Sequence, residues 1–202
     1  KFVFVEKGVH SSMSIKVPVG VSNRHVHLTE KDLEILFGPG YKLTVKKDLS
    51  QPGQFAAEET VNLIGPKRSI PKVRILGPIR PQTQVEISLT DSFTLGVAAP
   101  VRDSGNLKAT PGIIIEGPKG QIEISEGVMV AQRHLHLHTS EAEELGLKDK
   151  EYVQAKAEGV RALVFDQVLV RVGPKFKKDL HLDIDEANAA GLKNGDLVTI
   201  TK

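Results

Sequence analysis

The chain repeats itself. Residues 21–28 read Val-Ser-Asn-Arg-His-Val-His-Leu, and residues 130–137 return as Val-Ala-Gln-Arg-His-Leu-His-Leu. A second correspondence lies deeper in each half. Gly77-Pro78 precedes a run through Gln84, Val85 and Glu86, and Gly173-Pro174 precedes one through Asp179, Leu180 and His181. With a one-residue gap allowed, Glu86 falls opposite His181. Self-similarity of this kind means that one structural unit is built twice. At 202 residues with 40% hydrophobic side chains, the chain suits two small cores, since domains cluster near about 100–150 residues. The expected units are residues 15–105 and 127–202, joined by a connecting segment, 106–126, that contains a Gly-Pro-rich stretch. Residues 1–14 match nothing later and read as an N-terminal appendage. Alternating Phe2 and Phe4 with Val3 and Val5 suits a strand that pairs with a sheet edge or another subunit, and a cloning remnant or trimmed targeting peptide is an equal reading.

From Ile15 onward the texture is short β-branched runs punctuated by glycine and proline: 15–21, 43–45, 73–76, 85–89, 113–116 and 121–124. Such spacing predicts a mainly β fold of two β-barrel domains. Short helices should cap them. Thr29 with Asp32, Ser140 with Glu143, and Asp185 before Glu186 offer N-caps, and Gly38, Gly146 and Gly191 offer stops. Within the second half, residues 144–149 are echoed by 190–198 as a helix, glycine, turn and strand unit, which is structural grammar without chemistry.

Alternate residues of a strand share a face, so His25 and His27 can converge on one ion, as can His134 and His136. A catalytic zinc centre usually takes three protein ligands and keeps one position open. The repeat supplies a third ligand per half, Glu86 in the first and His181 in the second. An isolated His-x-His more often marks imidazoles that merely hydrogen-bond at strand ends; here five of the seven histidines fall at matching places in two halves that otherwise diverge. His138 aligns with Thr29 and reads as a residue that opens a helix rather than as a ligand. His10 lies in the appendage and reads as inert. Arg24 and Arg133 point to the opposite face from the histidines and should pair with carboxylates. Arg80, between Gly77-Pro78 and Glu86, places a guanidinium near the metal pocket, where its fork suits phosphate; a surface ion pair is the bland alternative.

The absences narrow the chemistry. Cysteine is missing, which excludes disulfides, thiolate zinc sites and thiol nucleophiles together. No phosphate-binding Gly-x-x-x-x-Gly-Lys-Ser/Thr loop, no Gly-x-Gly-x-x-Gly and no Gly-x-Ser-x-Gly elbow occurs, so nucleotide hydrolysis, nicotinamide chemistry and a serine acyl-enzyme are disfavoured. The net charge of +2 is mild and dispersed, which calls for no nucleic acid and tilts the surface toward small anions. No apolar run approaches the roughly 18 residues of a spanning helix, so no membrane association is expected and a soluble cytoplasmic protein is the default.

Residues 21–29, the Gly-Pro-x-Arg-Pro-x-Thr-Gln-Val-Glu run at 77–86, Arg133-His-x-His136 and Asp179-Leu-His-Leu-Asp183 together resemble the phosphate propanoyltransferases, the phosphotransacylases of bacterial microcompartments. The similarity runs from about Ile15 to the C-terminus. It implies two helix-capped β-barrels with a dinuclear zinc site between them: one ion on His25, His27 and Glu86, open to the sulfur of coenzyme A, and the other on His134, His136 and His181, with Arg80 holding phosphate. The implied reaction is reversible conversion of propanoyl-CoA and phosphate to propanoyl phosphate and coenzyme A, by direct phosphate attack. Location inside a microcompartment, beside shell or lumen enzymes, and a homodimer are implied with it, although residues 1–14 do not read as the amphipathic targeting helix of such members. Two readings from other classes remain: a dinuclear metallohydrolase of esters or thioesters, and a scaffold in which metals staple the halves together.

Overall fold

A computed structural model describes residues 15–202, and the strand expected in residues 1–14 lies outside them. Fifteen strands and four helices follow in the order β1 (Ile15–Ser22), β2 (His25–His27), α1 (Glu30–Phe37), β3 (Val45–Asp48), β4 (Phe55–Ile64), β5 (Ser69–Gly77), β6 (Gln84–Glu86), α2 (Leu89–Leu95), β7 (Val101–Arg102), β8 (Ile113–Glu116) and β9 (Gln121–Ile124). The chain continues with β10 (Val128–Ala131), β11 (His134–Leu137), α3 (Thr139–Glu144), β12 (Tyr152–Ala157), β13 (Leu163–Val172), β14 (Asp179–Asp183), α4 (Ile184–Ala190) and β15 (Leu197–Thr201). The fold is mainly β, as its texture predicts. One unit closes into a six-stranded barrel in the order β1-β14-β11-β13-β12-β15. The other is a half-barrel sheet in the order β7-β10-β6-β2-β5-β4-β8-β9, with β3 paired to β4.

Sheet membership does not follow chain order. β1 runs parallel to β14 and antiparallel to β15, so a strand from the start of the chain completes the barrel. In return β10 runs parallel to β6 and β7 in the other sheet. The cores record the same exchange: Val17 and Val19 pack with Leu135, Leu180 and Leu182, whereas Val128 and Val130 pack with Val26, Ile75 and Val85. Each unit therefore buries the strand that the other half's His-x-His pair follows.

The helices are brief and capped. Thr29 accepts from the Asp32 backbone N–H at the start of α1, and Gly38 ends it. His138 opens α3, with its ring accepting from the Ser140 N–H, which matches its alignment with Thr29. The expected Ser140 and Asp185 caps lie two residues too late, because His138 and Asp183 hold those positions and form capping boxes with Glu141 and Glu186. Gly191 takes the left-handed φ of 68° at the end of α4, a conformation that suits glycine. Helix α2 was not expected; it rises directly from β6 through a capping box of Ser88 and Asp91.

Candidate metal centre

In each unit the His-x-His strand lies between two neighbours, and the third candidate ligand stands on one of them. β2 pairs antiparallel with β6, with His25 across from Glu86. β11 pairs antiparallel with β14, with His134 across from His181. Glu86 and His181 thus occupy equivalent register positions. In each cluster, His25, His27 and Glu86 or His134, His136 and His181, one potential ligand atom per residue lies within 4.8 Å of the others. Both clusters and Arg80 line a single cavity of about 850 Å³ between the units.

The donor set fits metal ions. His25 Nδ1 lies 2.8 Å from the Asn23 carbonyl, His134 Nδ1 lies 2.8 Å from the Gln132 carbonyl, and His27 Nδ1 lies 3.1 Å from the Leu76 carbonyl. A carbonyl only accepts, so each Nδ1 carries the proton and each Nε2 keeps a lone pair for a metal. Both ring nitrogens of buried His136 lack any protein partner among the described residues. A buried polar atom without a partner is costly, and a bound ion would remove that cost. His25 Nε2 and Glu86 Oε2 stand 3.5 Å apart, close to the roughly 3.4 Å between two donors held about 2.1 Å from one tetrahedral ion.

Burial and mutual repulsion prepare the histidines as neutral ligands. Burial, with the neighbouring His25 and Arg80, lowers His27 to about 3. Burial and the adjoining His181 lower His134 to about 4. Burial and the other two rings lower His136 to about 2. His25 differs: burial opposes its charge, but Glu86 turns the shift upward. Burial also opposes ionisation of Glu86, and His25 outweighs it and holds the carboxyl well below the usual range. The first cluster thus sets a carboxylate beside its two rings, whereas the second is built of three imidazoles.

Neighbouring residues hold these side chains. Glu86 accepts from Gln84 Nε2 and, at 2.8 Å, from Ser104 Oγ. Arg24 grips Asp91 with contacts of 2.7 and 2.8 Å, and Arg133 meets Glu186 at 2.9 Å. Both carboxylates are the third helical residue of the helix that follows the third candidate ligand, so each arginine ties its His-x-His strand to that helix, as their orientation predicts. Arg80 is half-buried, and among the described residues its guanidinium makes no hydrogen bond or ion pair with a side chain. Burial and the like charge of Arg171, partly offset by Glu86, lower its pKa, because burial disfavours a charge without a partner. Gln84, Ser104, Asp179 and Arg171, which also line the cavity or hold its ligands, were not picked out from sequence. For Gln84 and Asp179 a signal existed, since each precedes a third candidate ligand by two residues on the same strand face. Arg171 had none.

Fold and site together define a protein of two duplicated β units that turn two ligand clusters able to hold metal ions, and an unpaired guanidinium, toward one shared cavity. Residues 18–193 match the family model for phosphate propanoyltransferase. Similar proteins include the phosphate propanoyltransferase of Thermotoga maritima, 58% identical over 91% of this chain and 88% of the relative. That of Rhodopseudomonas palustris is 53% identical over 93% and 83%, and that of Salmonella typhimurium is 51% identical over 88% and 85%. The chain belongs to the phosphate propanoyltransferase family, a family of acyl-transferring enzymes.

Proposed function

We propose that this protein transfers the propanoyl group reversibly between coenzyme A and phosphate in the cavity between its two units, with two zinc ions bound there. The observation that carries this reading is the convergence of both ligand clusters and the unpaired Arg80 on one cavity, in a chain whose relatives bear that name. His25, His27 and Glu86 would hold one ion, and His134, His136 and His181 the other. When bound, such ions supply Lewis-acid polarisation and charge neutralisation for two anionic partners.

The chain's own residues do the rest. Arg80 offers phosphate a bidentate fork already stripped of part of its water, so the anion binds without displacing a protein partner. Fixing phosphate beside the thioester turns a meeting of two anions into a reaction within one complex. A phosphate oxygen then bonds to the thioester carbon, the carbon–sulfur bond breaks, and the sulfur leaves with its electron pair as the thiolate of coenzyme A. Direct attack suits a site whose sequence has no cysteine and whose cavity is lined by candidate ligands and cations. The family resemblance supports work in the bacterial cytoplasm inside a microcompartment, with shell or lumen enzymes as neighbours and a homodimer as its assembly. Among the described residues no helix is long and apolar enough to cross a membrane.

The test is thiol release from propanoyl-CoA, with and without phosphate, on zinc-loaded and chelator-stripped protein. Release that requires phosphate and zinc together is expected, and Arg80→Ala should lower kcat/KM for phosphate by roughly 100-fold. Release indifferent to phosphate would make the protein a hydrolase, and no release with intact metal binding would make it a scaffold.

A further inference from the structure

The two third-ligand positions have matching supports of inverted chemistry. Gln84 and Asp179 each stand two residues before the third ligand, in equivalent register. The Gln84 amide donates to the Glu86 carboxylate. In the other unit the Asp179 carboxylate, 4% exposed, places Oδ2 3.2 Å from His181 Nε2. Asp179 is not itself one of the converging groups. Its Oδ2 also accepts from the hydroxyl of Ser50, which lies in the turn between β3 and β4 of the half-barrel unit. That turn is fastened close by: Gln51 Nε2 donates to the Lys177 carbonyl at 2.9 Å, and its Oε1 accepts from the Lys177 N–H at 3.2 Å. Gly20 on β1 makes room for the carboxylate, since a Cβ there would stand 2.9 Å from Asp179 Oδ2.

We propose that Asp179, anchored by Ser50 across the boundary between the units, is the positioning residue of the second cluster, accepting from His181 Nε2–H so that Nδ1 faces the metal. The inference rests on the metal-centre reading above. A neutral imidazole has one N–H and one lone pair, so the group that accepts from the N–H decides which nitrogen can ligate. Backbone carbonyls make that choice for His25, His27 and His134. A carboxylate makes it for His181, and a carboxylate also raises the basicity of the ring it orients. Without it only His134 of the second cluster keeps a tautomer fixed by an acceptor, since His136 stacks on Phe176 with no hydrogen-bond partner among the described residues, and the His181 ring is free to turn. Because the anchor comes from the other unit, affinity at this site depends on how the two units dock.

The test is zinc titration of metal-stripped full-length protein against a chromophoric chelator. Wild type should take two ions. Asp179→Ala should keep one at wild-type affinity and weaken the other by roughly 10–100-fold, the weakened site being the one that His136→Ala abolishes. Asp179→Asn, whose amide oxygen still accepts, should recover part of the loss. Ser50→Ala, at an exposed turn position that folding tolerates, should show a smaller loss at the same site. Fewer than two ions on wild type would overturn the metal-centre reading itself. Two ions on wild type with unchanged affinity in the Asp179→Ala and Ser50→Ala variants, or losses shared equally by both sites, would overturn this inference alone.

Discussion

At the scale of single residues, the histidines were legible because a strand's period of two and the repeat point to the same positions. His25, His27, His134 and His136 follow from spacing, and Glu86 and His181 follow from aligning the halves. What holds them was not legible, since the carbonyls that fix their tautomers have no side-chain identity and Ser104 and Ser50 come from distant loops. His136 exposes the energetics of such a site. Its ring is buried against Phe176, stacked at 4.3 Å between centroids, with neither nitrogen hydrogen-bonded among the described residues. Leaving a buried polar group unpaired costs about 1–3 kcal/mol, comparable to what packing the ring contributes. His136→Ala should therefore change the stability of chelator-treated protein by less than about 1 kcal/mol. It should, however, abolish much of the stabilisation that zinc gives wild type. Urea denaturation with and without zinc measures both, and a large loss in the metal-free protein would show the ring to be structural.

At the scale of elements, sequence named three of the four helices and runs that fall on β5 and β6 beside the first candidate cluster, and it missed α2 and the β13 strand beside β11. The run read as strand at 85–89 masked α2, because Ser88 and Asp91 open a helix at Leu89, inside that run. The α3 and α4 starts were displaced by two residues because His138 and Asp183 were not read as caps. The box that opens α4 carries a measurable consequence. Burial and the adjacent Asp183 raise Glu186 from the ordinary 4.5 to about 6, despite Arg133 nearby. The folded state thus keeps a proton that the unfolded chain releases first. The stability linked to this proton is present below about pH 4.5 and is lost as pH rises through about 6. Glu186→Gln keeps a side-chain acceptor for the capping box and removes the titration. Its stability relative to wild type should rise by about 1–2 kcal/mol between pH 4.5 and 7, as denaturation at both pH values would show. A difference that stays flat would mean that Arg133 keeps the carboxyl ionised throughout.

At the scale of the molecule, the repeat announces two units, but no strand's own residues name its partner, and pairing between the ends of a chain leaves no local mark. The exchange of β1 and β10 is therefore visible only in the fold, and it decides what can stand alone. A fragment of residues 132–202 lacks β1, so β14 and β15 become open edges and the core loses Val17 and Val19, both buried. Burying each valine contributes about 1.5–3 kcal/mol, and the pair approaches the whole stability of a small domain. That fragment should not fold. The register also offers a repair: Ile15 lies across from Ile200 in the antiparallel β1–β15 pair, so the chain end at Lys202 comes close to the start of β1. Joining Lys202 to Ile15 through an Asn-Gly dipeptide leaves a four-residue connection between the paired Ile200 and Ile15, a length that hairpins use, and gives a chain of residues 132–202 followed by 15–22 that holds all six barrel strands. It should unfold cooperatively by circular dichroism, whereas residues 132–202 alone should not. Folding of the short fragment would show that β1 is an accessory, and failure of the joined one would show that the barrel needs the turn that brings Ser50 onto Asp179.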